Sequence, residues 1–295
     1  MYPILFEYND FQISTYGFML MMAFLISNYL LKKYLISIDI ECKIGEDLIF
    51  YAALGGIIGA KIFYIIEYYD SGGYDNIVGL LNIFKGIYTF SIPLILAGIK
   101  DFGSGLVFLG GLFGGMVSVS IYIYNNNLNW FAVSDWVAPY LALGHGIGRL
   151  GCFFVGCCYG IPSNHPLLFS FPNGRPPTTY ESFKYYHPDI FNNLVLPYYK
   201  AGSFISVHPT QLYEFLGYMS IFIYLILRRK NKNYDGHIFY NYLFFIGVFR
   251  FVVEFFRLNP IYLSGLTSAQ IISLLMIIFS GYFLFSNSYK TKWKK

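Results

Sequence analysis

An arginine at the end of a long apolar stretch is the first residue that points to chemistry. Arg149 lies in the run HGIGRLGCFFVGCCYG, positions 145–160, beside a histidine, several glycines and three cysteines. An ionised guanidinium group at the edge of a hydrocarbon core is costly unless a ligand or counter-ion compensates its charge. Planar guanidinium groups suit bidentate binding of phosphate. The run therefore predicts an anion site at the depth of lipid headgroups.

A second apolar run, FIGVFRFVVEFFRLNP at 245–260, carries three ionisable residues. Arg250, Glu254 and Arg257 are separated by four and then three positions, so they share one face of a helix. A buried ion pair between Arg250 and Glu254 that only fixes helix packing is the structural alternative. Because one glutamate neutralises only one arginine, this face together with Arg149 predicts a net positive cluster.

A polar cluster opens another apolar segment, in the stretch SVHPTQLYEFLG at 206–217. His208, Gln211, Tyr213 and Glu214 cannot all face lipid, because a polar group in hydrocarbon needs a partner. For His208, a capping role at the start of a helix and a role in binding a substrate both remain open.

The elements that must position these residues are membrane helices. Of the 295 residues, 56% are hydrophobic and only 12% are charged, against roughly 25% charged in soluble domains. About 20 apolar residues cross a bilayer as a helix. We therefore expect an all-α fold, a polytopic membrane protein in which residues 1–295 form a single integral membrane domain. About seven transmembrane helices are predicted, at 14–36, 47–68, 104–124, 133–150, 210–228, 238–256 and 266–286.

One further apolar segment, 76–99, is interrupted by Lys85 and Pro93. These two residues favour an interfacial or re-entrant piece over a full crossing, although an eighth crossing stays open.

Basic residues set the orientation of the predicted helices. They cluster after the first and fifth helices and at the end of the chain, at 32–43, 228–232 and 290–295. The positive-inside rule places these segments in the cytoplasm, with the N-terminus outside and the C-terminus inside. Segment 161–207 is then an outward-facing insertion between helices 4 and 5, predicted to form a small cap. The net charge of +4 follows from this asymmetry, and we expect no nucleic-acid partner.

Four cysteines, Cys42, Cys152, Cys157 and Cys158, leave several interpretations open. The C-x4-C-C spacing lacks the paired C-x2-C of zinc sites, so no metal site is expected. Small packing residues or an outward-side disulfide are favoured over metal or redox chemistry. A bond between the adjacent Cys157 and Cys158 would be strained, which makes Cys152 the better disulfide partner for either.

Four motifs together resemble the prolipoprotein diacylglyceryl transferase family. They are YGFML at 16–20, GRLGCFFVGCCYG at 148–160, HPTQLYE at 208–214 and FRFVVEFFR at 249–257, in that order along nearly the whole chain. The resemblance implies a multi-pass enzyme of the bacterial cytoplasmic (inner) membrane with its site open to the outer leaflet. Such an enzyme transfers diacylglyceryl from phosphatidylglycerol to the lipobox cysteine of a prolipoprotein signal peptide and releases glycerol phosphate. It carries out the first step of lipoprotein maturation and needs no cofactor.

The resemblance also implies roles for individual residues. Arg149 matches the family arginine that binds phosphatidylglycerol, and Arg250 matches an essential arginine. Tyr16, Gly160 and Glu254 occupy other family motif positions. Arg250 and Glu254 are therefore expected in catalysis, and Arg149, Tyr16 and Gly160 in substrate binding.

The sequence departs from the family pattern in places that affect the mechanism. Cys152 and Cys157 replace an asparagine and a glutamate of the motif, and Leu109 stands at the position of the family's proposed histidine base. The acceptor thiol must lose its proton, so we predict that His145, one helical turn before Arg149, replaces that base in catalysis. His208 is the reserve base and is otherwise expected to bind substrate.

Two other functions compete with this one. The cysteine variant of the motif is compatible with a related membrane transferase that uses another acceptor. A transporter for an anion or a lipid would also use intramembrane arginines and glycine-broken helices. Such a transporter favours charges at the membrane midplane and repeated broken helices, whereas this sequence places its charges at the outward ends of helices.

Overall fold

The structure is a computed structural model that describes residues 2–292, except 9–10, 104, 106, 164, 166–167 and 264. Residues 293–295, part of the predicted basic tail, lie outside the described residues. A helix forms at each of the seven apolar stretches. In chain order the helices are α1 (Thr15–Ile36), α2 (Cys42–Glu67), α3 (Gly73–Tyr88), α4 (Ile92–Gly103), α5 (Phe108–Asn125), α6 (Trp130–Val155), α7 (Tyr180–Tyr186), α8 (Pro188–Ile190), α9 (Thr210–Arg228), α10 (His237–Val253) and α11 (Ser268–Lys292).

Within the described residues, five helices are long and apolar enough to cross a membrane: α1, α2, α9, α10 and α11. Helix α5 is a shorter apolar helix. Helix α6 has 26 residues, but Asp135 and Arg149 lower its mean hydropathy. The chain is thus a mostly helical, multi-pass membrane protein, as its composition predicted. The number of seven crossings stays a prediction.

Two short antiparallel hairpins are additions to the predicted all-α fold. Strand β1 (Ile4–Tyr8) pairs with β2 (Phe11–Ser14), and β3 (Ile261–Leu263) pairs with β4 (Leu266–Thr267). Strands of two to five residues are too short for their alternating pattern to stand out in an apolar sequence. The second hairpin connects α10 to α11 and therefore shapes the loop beside the predicted charged face.

Residues 34–130 form one compact unit of the chain. Helices α2 and α5 approach each other through glycines: a Cβ atom on Gly59 would lie 2.3 Å from the carbonyl oxygen of Gly110. Such close backbone approach is typical of small residues in membrane helices. Segment 76–99 belongs to helices α3 and α4, of 16 and 12 residues. Both are shorter than the roughly 20 residues of a crossing, and their interfacial or re-entrant placement stays a prediction.

Residues 1–33 and 131–295 form the other unit. It contains every predicted site residue. Its core is built by α6, α9 and α10 from Ala138, Ala142, Tyr218, Ile221, Leu225, Ile238, Tyr242 and Ile246. A separate apolar core lies largely within segment 161–207 and consists of Tyr159, Phe171, Phe183, Phe191, Val195, Ile205 and Val207. This segment therefore packs around its own side chains between α6 and α9.

Candidate active site

The charged face at the end of α10 is built differently from a continuous helix. Helix α10 ends at Val253, a single 3-10 turn covers Glu254–Phe256, and Arg257 is already extended, with φ −101° and ψ 161°. Arg250 and Arg257 nevertheless reach the same two carboxylates. The predicted shared face is thus correct, and the predicted helix over 238–256 agrees with the helical segment His237–Phe256, whose last turn is 3-10.

A buried glutamate on α9 is the centre of the site. The Glu214 side chain is completely buried, and its carboxylate contacts three arginines from two other segments. Arg149 Nε lies 2.9 Å from Oε2, Arg250 Nη1 lies 3.0 Å from Oε1, and Arg257 Nη1 lies 3.4 Å from Oε2. Charge-assisted hydrogen bonds of this kind are about twice as strong as neutral ones. Glu214 therefore joins the two arginine-bearing segments that the sequence placed on separate helices.

Glu254 is the second buried carboxylate of the cluster. Its Oε2 lies 2.8 Å from Arg250 Nη2 and 3.8 Å from Arg257 Nε. Its Oε1 accepts hydrogen bonds from Asn259 Nδ2 at 2.6 Å and from Thr267 Oγ1 at 2.9 Å. The Arg250–Glu254 ion pair that the sequence offered as a packing alternative is present. It forms one part of a larger network, in which the β3–β4 hairpin supplies Thr267.

The charges of this cluster do not cancel. Three arginines and two glutamates leave one positive charge. The glutamate side chains are fully buried, whereas the side chains of Arg149, Arg250 and Arg257 keep 25%, 19% and 11% of their surface exposed. The carboxylates thus hold the guanidinium groups from behind, and the accessible side of the cluster is positive. Such an arrangement binds an anion and stabilises negative charge that develops during a reaction.

A glycine-containing loop connects Arg149 to the rest of the cluster. After α6, Gly156 and Cys158 adopt positive φ angles of 72° and 61° and turn the chain back. The backbone N–H of Gly160 donates to the His208 carbonyl at 2.8 Å. A Cβ atom on Gly160 would lie 2.1 Å from the Phe256 carbonyl oxygen. Gly160 therefore permits close backbone contact beside Arg257, a packing reason for its motif position.

His208 lies beside this loop, just before α9. Its Nδ1 is 3.2 Å from the Tyr213 hydroxyl, and its ring packs against Phe256. The N-cap of α9 is Pro209, and no side chain caps that end, so the capping interpretation of His208 is wrong. Burial, and secondarily the charge of His165, lower the pKa of His208. A neutral imidazole at pH 7 is able to accept a proton.

The other predicted site residues, His145 and Tyr16, lie on the same unit. His145 is one turn before Arg149, and its ring contacts those of Tyr218 and Tyr242 at centroid distances of 5.4 and 6.4 Å. Tyr16 on α1 is 42% exposed and packs beside the α6 backbone near Gly151. Leu109, at the family histidine position, lies on α5 in residues 34–130.

Comparison with known proteins places the whole chain in one family. The model of the family described as "Prolipoprotein diacylglyceryl transferase" matches residues 3–286. The chain belongs to this family.

Relatives support this membership along the full length. The chain is 33% identical to the phosphatidylglycerol–prolipoprotein diacylglyceryl transferase of Clostridium tetani over 97% of each chain. It is 32% identical to the enzyme of the same name from Buchnera aphidicola, over 98% of this chain and 96% of the relative. With that of Bordetella avium it shares 29% identity over 94% and 90%. The chain is therefore a membrane transferase, as its motifs predicted.

The sequence marks Glu214 as one of four polar residues that cannot all face lipid, but predicts no role for it. An acidic residue near the start of an apolar helix was the available signal. The arginines that Glu214 contacts could not be predicted from the sequence, because they are distant from it in the chain.

Proposed function

We propose that this protein transfers the diacylglyceryl group from phosphatidylglycerol to the lipobox cysteine thiol of prolipoproteins, releasing glycerol phosphate. The supporting observation is the positive cluster of Arg149, Arg250 and Arg257 backed by two buried glutamates. Its partly exposed guanidinium groups suit a phosphodiester headgroup. The names of the relatives point to the same two substrates.

The chemistry requires stabilisation of a leaving phosphate. The acceptor sulfur forms a bond to the glyceryl carbon, the bond from that carbon to the phosphate oxygen breaks, and the electron pair remains on the phosphate. Glycerol phosphate leaves with one more negative charge than the diester carried. In this proposal Arg149 binds the phosphate, Arg250 stabilises the developing charge, and Glu254 and Glu214 orient the guanidinium groups. Fixed charges aimed at such a group are usually the largest catalytic contribution.

The acceptor thiol must also give up its proton. His145 is the proposed base, since it lies one turn from Arg149, and His208 is the reserve. Tyr16 and Gly160 are proposed to contact the lipid substrate or shape its site.

The proposed placement in the cell follows from the charge pattern. The chain lies in the bacterial cytoplasmic membrane with seven crossings, the N-terminus outside and the C-terminus in the cytoplasm. Segment 161–207 then faces outward as an insertion of the single membrane domain, in a position to guide the signal peptide.

The deciding experiment measures glycerol phosphate release by purified protein in detergent with phosphatidylglycerol and a synthetic lipobox peptide. We expect release that needs the peptide cysteine and falls about 100-fold or more in Arg149→Ala, the loss typical of removing one charge-stabilising donor. Arg228→Ala, at the far end of α9, is the matched control and should keep full activity. Phosphatidylglycerol binding without release would refute the proposed acceptor and favour a different transferase or a transporter.

A further inference from the structure

Three cysteines that the proposed reaction does not use converge at the end of α6. The Sγ atoms of Cys152, Cys157 and Cys158 all lie within 4.8 Å of one another. All three are free thiols, with Cys152 buried, Cys157 half-buried and Cys158 exposed. Adjacent residues normally point apart, so this convergence depends on the turn formed by the positive φ angles of Gly156 and Cys158.

We infer that Cys152, Cys157 and Cys158 form a binding site for one thiophilic d10 cation such as Zn²⁺. Zinc–sulfur bonds are about 2.3 Å long, so sulfurs around one ion lie roughly 3.8 Å apart. The observed Sγ atoms, all within 4.8 Å of one another, exceed that spacing by at most about 1 Å. The sequence spacing C-x4-C-C argues against a zinc site, but the turn after α6 brings the three thiols together.

The backbone that carries these thiols is held in place. Gln211 Nε2 donates to the Cys157 carbonyl at 2.7 Å, and Thr210 Oγ1 donates to the Cys158 carbonyl at 2.8 Å. Both donors lie on the first turn of α9, and both side chains are completely buried. A site whose ligands are positioned in advance by hydrogen bonds to their own backbone binds metal with little reorganisation.

The surrounding charges also suit a metal–thiolate centre. Binding of Zn²⁺ replaces three thiol protons, which pass to solvent, and three thiolates with one Zn²⁺ carry a charge of −1. Arg149 lies three residues before Cys152 on α6, and the backbone of Arg257 pairs with that of Gly160, two residues after Cys158. The single excess positive charge of the arginine–glutamate cluster therefore compensates the centre. The exposed side at Cys158 leaves the fourth coordination position to water.

The test titrates the purified full chain, reduced and metal-free, with Zn²⁺ against a chromophoric chelator, and with Co²⁺ to observe sulfur-to-metal charge-transfer absorption. We expect one ion per chain and the thiolate absorption band. Cys152→Ser, Cys157→Ser and Cys158→Ser should each weaken binding by about 100-fold or more, since loss of a residue that only hydrogen-bonds to a metal ligand already costs about 10–100-fold. Cys42→Ser, on the exposed start of α2, is the matched control and should bind as the native chain does.

A second measurement guards against variants that fail to fold. Zn²⁺ should raise the thermal unfolding midpoint of the native chain and of Cys42→Ser. The midpoint of Cys157→Ser should be the same with and without Zn²⁺. Absence of Zn²⁺ binding by the reduced native chain would overturn the inference. Equal binding by native protein and all three site variants would overturn it as well. Neither readout depends on transferase activity.

Discussion

Replacement of Glu214 by glutamine is the sharpest test of the arginine–glutamate cluster. Glutamine keeps the shape of the side chain and one acceptor oxygen, but removes the charge shared by three arginines at 2.9, 3.0 and 3.4 Å. The carboxylate is completely buried, so water cannot replace it. Removing one partner of a buried ion pair costs about 3–5 kcal/mol. Because glutamine retains part of the hydrogen bonding, we expect Glu214→Gln to lower the free energy of unfolding by about 3 kcal/mol, the lower end of that range.

The assay is unfolding in mixed micelles with increasing SDS, which compares the native chain with Glu214→Gln at equal protein and lipid concentration. Glu181→Gln is the matched control, because Glu181 is exposed and its Oε1 accepts one hydrogen bond, from the Gly202 N–H at 2.9 Å. That control should change stability by less than about 0.5 kcal/mol, as surface substitutions usually do.

A double-mutant cycle with Arg149→Ala separates charge pairing from a general packing defect. Residues in one ion-pair network show coupling energies of about 0.5–3 kcal/mol. The stability losses of Glu214→Gln and Arg149→Ala should therefore not add up to that of the double variant. If Glu214→Gln unfolds with the same midpoint as Glu181→Gln, or if the stability losses of Glu214→Gln and Arg149→Ala are additive, then Glu214 does not hold Arg149.

Three further predictions concern the loop, the third arginine and His208. Gly160→Ala should abolish transfer, because the added Cβ would lie 2.1 Å from the Phe256 carbonyl, whereas Gly17→Ala meets nothing within 4 Å and should retain activity in the same glycerol phosphate assay. Arg257→Lys should lose about as much transfer rate as Arg257→Ala, because a point-like ammonium cannot contact Glu214 and Glu254 together; full rescue by lysine would contradict this. Burial lowers the pKa of His208, so as pH falls below the ordinary value of about 6.5 the unfolded chain takes up a proton first and folding stability drops. His208→Asn should flatten that loss, measured as unfolding midpoint against pH, and an unchanged slope would argue against it.

Several features could be predicted because they depend on neighbouring residues. Apolar stretches long enough for a bilayer predict helices, and a helix forms at each of the seven. The spacing of Arg250, Glu254 and Arg257 predicts a common face, since residues three and four apart meet on a helix. Family membership was likewise readable, because its motifs are short and local.

Other features could not be predicted from the sequence, for physical reasons. The N-terminal hairpin and β3–β4 are too short to show a strand pattern. The end of α10 changes to a 3-10 turn at Glu254. No proline, glycine or other helix-ending residue in FRFVVEFFR indicates this change. The sequence shows that Leu109 stands where the family has its proposed histidine base. Which histidine acts as the base instead depends on the distance to the reacting thiol, and distances between segments are not encoded in residue spacing.

A helical membrane protein with arginines at the ends of apolar segments could be predicted from residue order, because burial of apolar surface and helical periodicity act locally along the chain. That Glu214 joins Arg149 to Arg250, and that the three thiols of Cys152, Cys157 and Cys158 converge, became evident from the folded chain. Both arrangements depend on how α6, α9 and α10 pack and on the turn after α6. Contacts between distant segments leave no period in the sequence, because they are set by the balance of burial and charge across the whole unit.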